Sequence, residues 1–155
     1  MLVATKDGGL SSAYDIAVDG QPVARWDGSV WRNGGSFTVQ GQRYQVRGNL
    51  WGSEFTMTDG SGATVAAAGK VTRREWTVVT GGQTYQFRRP SWWRQRFDLL
   101  LGRQPVGFVR RPSSWRSTVQ AELPTMPMAA QVFTVAVALT TWDAAAVAAG
   151  AAAVT

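Results

Sequence analysis

The sequence predicts a mainly β fold, a closed antiparallel barrel wrapped around the chain's own apolar C-terminal helix. Three observations carry that expectation. Residues 14–123 consist of short alternating runs separated by glycine turns, the pattern of strands with one buried face. The runs repeat along the chain. After Pro127 comes an apolar segment too long for a strand and apolar on every side.

Strands are expected near 14–18, 22–26, 36–40, 43–47, 54–58, 64–71, 75–80, 84–89, 96–101, 105–111 and 115–122, about eleven in all. Tyr44/Val46, Phe55/Met57, Trp76/Val78, Tyr85/Phe87 and Phe97/Leu99/Leu101 alternate with polar residues and mark the inward face. Asp19-Gly20, Asp27-Gly28, Asp59-Gly60, Gly34-Gly35 and Gly81-Gly82 supply the turn chemistry, since tight hairpins need positive φ. Ser36 to Arg47 matches Glu75 to Arg88 about forty residues later, with Trp51 and Phe55 in step with Trp93 and Phe97. A second register links Tyr14-Asp15-Ile16 and Gln21-Pro22-Val23 to Phe97-Asp98-Leu99 and Gln104-Pro105-Val106, which gives three degenerate units, the last truncated.

Pro124 and Pro127 end the last strand, and a helix is expected over about 127–149, with Gly150 as its stop. A helix apolar all round must be surrounded by protein or by lipid. Gln131, Thr134, Thr140, Thr141 and Asp143 argue against a membrane span, because an aspartate in one costs about 2.5 kcal/mol or more. A barrel of about eleven strands is wide enough to enclose it. The expected organisation is therefore one domain over 1–155, barrel about 12–123 and central helix after it.

Composition excludes several kinds of chemistry. The chain has no cysteine and no histidine, which removes disulfides, thiolate metal sites, serine–histidine triads and histidine–zinc centres. No Ser-x-x-Lys, Gly-x-Ser-x-Gly or phosphate-loop arrangement occurs. The acidic residues are scattered singly, many beside turn glycines. The expectation is no enzyme, no catalytic residue, no metal and no cofactor. Met1 to Leu10 has no apolar stretch of secretory type, so a cytoplasmic chain is expected.

The formal charge is +6, and segment 70–116 holds eleven of the sixteen basic residues against only Glu75 and Asp98. Such a half can face something anionic, or its arginines can simply be solvated. Arg88, Arg96 and Arg110 fall on outward strand positions. Arg73, Arg74, Arg89, Arg94, Arg111 and Arg116 fall near turns. These nine are the candidate contacts for anionic phospholipid headgroups, each contributing about 1 kcal/mol near such a surface. Trp92 and Trp93, beside Arg94 at a loop tip, suit the headgroup level, with rim packing the competing role for Trp93.

Trp76-Thr77-Val78 with Tyr85-Gln86-Phe87-Arg88, Val106-Gly107-Phe108-Val109-Arg110, and Leu123-Pro124 through Gln131-Val132-Phe133 to Leu139-Thr140-Thr141-Trp142-Asp143 resemble bacterial LURP-one-related proteins. Those belong to the tubby C-terminal-like superfamily, with tubby and the phospholipid scramblases. The resemblance covers nearly the whole chain by pattern, not by an invariant motif. It implies a twelve-stranded barrel threaded by its C-terminal helix and no catalytic residues. Tubby relatives bind phosphoinositides through basic side chains, but no family site carries over residue by residue. The acidic calcium-binding segment of the scramblases has no match, since the C-terminal region offers only Asp143. The expected function is a peripheral module binding anionic phospholipid at the inner face of the membrane, as a monomer. The alternatives are an interaction or structural barrel with a protein partner and a scramblase-like membrane protein. Nucleic acid is disfavoured by the lack of any recognition motif.

Overall fold

The computed structural model describes residues 1–8, 12–28, 33–112 and 118–154, with side chains as far as residue 150. Twelve strands follow in order: β1 (Leu2–Lys6), β2 (Ala13–Val18), β3 (Gln21–Gly28), β4 (Gly34–Val39), β5 (Gln42–Gly48), β6 (Phe55–Thr58), β7 (Thr64–Gly69), β8 (Glu75–Thr80), β9 (Gln83–Arg88), β10 (Arg96–Leu101), β11 (Gln104–Arg110) and β12 (Thr118–Glu122). Each strand pairs antiparallel with its neighbours in sequence, and β1 pairs with β12 to close the barrel. Closure leaves no strand edge open to another chain. One helix follows, α1 (Met128–Val154).

Eleven of these strands fall where alternation placed them. The twelfth, β1, lies in the stretch read only for a leader: Leu2 and Ala4 face inward, between Val18 and Ile16 of β2 and Ala121 and Val119 of β12. Strand 64–71 stops at Gly69, because Lys70 has a positive φ of 60° that no strand continues. Leu101, expected inside, is exposed. The pairing of β10 with β11 shifts register between Leu99 and Leu100, so the alternation expected from Phe97 and Leu99 does not extend to it.

The turn chemistry divides in two. Asp19-Gly20, Gln40-Gly41 and Gly81-Gly82 each have positive φ at both residues, the type I′ geometry that suits twisted hairpins. Asp27-Gly28 and Gly34-Gly35 are not turns. They lie within β3 and β4, where a Cβ on Gly35 would collide with the Asp27 carbonyl and the Trp26 ring, so glycine is needed for strand approach. Gly20, Gly41, Gly62, Gly82 and Gly102 all have positive φ and succeed one another every 20 or 21 residues. The repeating unit is thus one hairpin, and the forty-residue match spans two of them. The sixth hairpin is the pair β12 and β1, split between the two ends of the chain.

All the tight turns lie at one end of the barrel, the hairpin end. The other junctions between successive strands, among them the longer connections 49–54, 70–74 and 89–95, fall at the opposite end, the loop end. Leu123 to Pro127 crosses the hairpin end, with Leu123 and Met126 buried and the Tyr85 hydroxyl donating to the Thr125 carbonyl. From there α1 runs up through the barrel. Between Val132 and Leu139 no side chain is more than 1 % exposed. Burying its valine, phenylalanine and leucine side chains contributes about 1.5–3 kcal/mol each, so α1 is the core of the domain. Its threonines are satisfied within the helix: Thr134, Thr140 and Thr141 donate to the carbonyls four residues earlier, each at 2.8 Å.

Candidate functional site

Topology gathers the basic residues at the loop end. Arg73 and Arg74 lie in the connection from β7 to β8, Arg89 and Arg94 in that from β9 to β10, and Arg88, Arg96 and Arg110 on strand ends beside it. Arg116 lies outside the described residues. The two loops touch, since the Arg89 amide donates to the Arg74 carbonyl at 2.7 Å. Beneath them an open groove of about 820 Å³ runs onto the outer wall of β8 and β9, lined by Lys70, Thr72, Arg73, Arg74, Glu75, Thr77, Gln86 and Trp92. Arg73, Arg74 and Arg94 are exposed, and no salt bridge to any of them occurs among the described residues.

The arginines divide by what they touch. Arg96 bonds Asp98 at 2.7 Å, and with Arg110 it stacks on the Phe108 ring on the outer wall; Arg110 also donates to Gln120. Arg88 also points outward, its backbone paired across the sheet with Glu75 and Asp98. Arg89 and Arg111 instead turn over the mouth of the barrel. The Arg89 guanidinium sits 4.3 Å from the Trp92 ring and 5.1 Å from the core ring Phe97, and among the described residues it donates only to the Val71 carbonyl. Burial lowers its pKa from the ordinary arginine value, and no carboxylate pairs with it among the described residues.

Arg111 is committed to the fold. Its side chain is 10 % exposed, donates to Gln95 and the Tyr14 hydroxyl, and lies 3.5 Å from the Asp143 carboxylate. Tyr14 in turn donates to Asp143, and Trp142 stacks on Phe97 at 5.2 Å. Together they form a collar where α1 leaves the barrel. Burial and then the Asp143 charge raise the Tyr14 pKa above the ordinary tyrosine value.

Exposed tryptophans lie on two loops of the same end. Trp92 is 62 % exposed, and Trp93 is 94 % exposed instead of packing on the rim. Trp51, which matches Trp93 in the repeat, is 80 % exposed beside Leu50 at the tip of loop 49–54. That loop is not slack. The Asn49 side chain accepts from the amides of Ser53 and Glu54 and donates to the Ser53 hydroxyl, while Asn33 donates to the Asn49 carbonyl. On the other loop, the Trp93 amide donates to Ser91 and Trp92 lies against Arg89. Both loops therefore hold large apolar side chains outward on an ordered backbone. Leu50 and Trp51 were not among the candidates from sequence; the repeat match of Trp51 to Trp93 was the signal available.

The remaining charges are placed differently. Arg25, on the far side of the loop end, is surrounded by Asp7 at 2.8 Å, Asp15 at 2.9 Å and Asp27 at 3.4 Å. The hydrogen bonds that its guanidinium donates to Asp7 and Asp15 raise its pKa further above its ordinary value. Arg43 and Arg103 lie at the hairpin end. No group of three acidic residues arranged to hold a metal ion occurs among the described residues. The chain matches no family model, no curated protein and no solved structure.

Proposed function

We propose that this chain is a non-catalytic module that docks on anionic phospholipid membranes with the loop end of its barrel. The observation that carries the reading is the convergence, at one end, of exposed tryptophans held on ordered loops with exposed arginines that have no carboxylate partner among the described residues. Tryptophan favours the headgroup level, where its ring is apolar and its N–H is wet. Exposing such side chains in water is unfavourable, and an interface removes that cost. The groove beside Arg73, Arg74 and Trp92 supports a headgroup phosphate as the anion. The non-catalytic part rests on the composition and on the acidic residues that do meet, which do so on the surface around Arg25. The reading is in keeping with the resemblance to LURP-one-related proteins, whose tubby relatives bind phosphoinositides.

Co-sedimentation with vesicles of neutral and of anionic lipid tests it. Binding is expected only to anionic vesicles, weakened strongly as salt rises toward 1 M, where the screening length falls to about 3 Å. Arg73→Glu, Arg74→Glu and Arg94→Glu together are expected to weaken it at least about a hundredfold. Equal affinity for neutral vesicles, or better competition by single-stranded oligonucleotide at equal salt, would overturn the proposal.

A further inference from the structure

The collar at Tyr14, Arg111 and Asp143 divides α1 into two parts of different environment. Below it the helix is buried on every side. Above it the side chains from Ala144 to Gly150 are exposed, Val147 among them at 73 %. The residues after Asp143 are alanine, valine, one glycine and one threonine, with no charged side chain. Eleven residues, 144–154, continue the helix past the collar, which at about 1.5 Å each is roughly 16 Å. The hydrocarbon core of a bilayer is about 30 Å thick, so these eleven residues have about the length of one leaflet.

We infer that, on a barrel docked as proposed above, the overhang of α1 enters the acyl region of the contacted leaflet. One helix would then serve as barrel core below the collar and as insertion element above it. The position of the overhang singles out lipid as its occupant. It projects from the same end of the barrel as the two loops that carry Trp51, Trp92 and Trp93, so an end that meets headgroups with those rings presents the apolar helix to the same leaflet. A helix satisfies its backbone hydrogen bonds internally, and alanine adds no polar group. The Arg111–Asp143 pair stays at the mouth, where the one charge on the exit turn is compensated before the acyl region. The inference rests on the docking reading, and the test separates the two.

The chain has no cysteine, so Val147→Cys in the full-length protein carries a unique environment-sensitive fluorophore. With vesicles of anionic lipid, the probe at 147 is expected to shift blue and to be quenched several-fold more by lipids carrying a mid-chain quencher than by a water-soluble one. The same probe at Arg103→Cys, on the hairpin end, is expected to stay water-exposed. If the protein sediments with the vesicles while the probe at 147 remains in water, insertion is overturned and docking stands. If the protein does not sediment with them, the docking reading and the inference fall together. A probe at 147 that shifts without vesicles, in proportion to protein concentration, would assign the overhang to a second copy of the chain and overturn lipid as its occupant.

Discussion

Tyr14, Arg111 and Asp143 show how single residues fix the mouth of the barrel. The folded state holds the Tyr14 proton more tightly than the unfolded chain does, because burial and Asp143 disfavour the phenolate. The stability from this group is therefore complete below about pH 10 and is lost as pH rises through the raised folded value. Denaturation midpoints at pH 9 and pH 11 are expected to differ more for the wild type than for Tyr14→Phe. Equal differences would remove Tyr14 from the linkage. At the exposed tips the expectation is opposite in kind. Trp51→Ala and Trp93→Ala are expected to change stability by no more than about 0.5 kcal/mol while weakening vesicle binding. Trp76→Ala, fully buried between Phe87 and Phe97, is expected to cost about 3–5 kcal/mol.

Strand β1 makes a direct test of register. Ala4 points into the core with no exposed surface, and Thr5 points out. Ala4→Asp is expected to abolish folding, and Thr5→Asp to be tolerated, as read by circular dichroism and thermal melting. This element was the one strand that alternation did not reveal. Its five residues hold only two buried side chains, and one of them is alanine, too small to stand out as an apolar run. Leu101 was misplaced for a related reason: the register shift in its hairpin lies between residues with nothing unusual in their sequence. Gly34 and Gly35 were misread because a glycine pair signals both a turn and a close strand approach, and only the partner strand decides which. The central helix was legible, since no other structure accommodates so long a segment apolar on all sides. Its division at Asp143 was not, because alanine suits a packed interior and an exposed helix alike.

At the scale of the whole molecule, the barrel has two unlike ends. An even number of strands in a simple up-and-down order sends every tight glycine turn to one end and every longer connection to the other. The candidate arginines were legible as a charge-rich segment, but their convergence was not, since that depends on the end at which each connection falls. Arg89 and Arg111 are the two that topology turned over the mouth instead of outward. Arg43 and Arg103, at the hairpin end, become internal controls, because a uniformly basic surface would make all arginines equivalent.

Charge reversal at the two ends, read by co-sedimentation with anionic vesicles at fixed moderate salt, tests the central claim most directly. Arg73→Glu, Arg74→Glu and Arg94→Glu together are expected to abolish sedimentation with an unchanged melting temperature, whereas Arg43→Glu with Arg103→Glu is expected to leave binding within about twofold of wild type. Equal loss of binding from both variants, or loss from neither, would contradict a membrane-docking surface at the loop end.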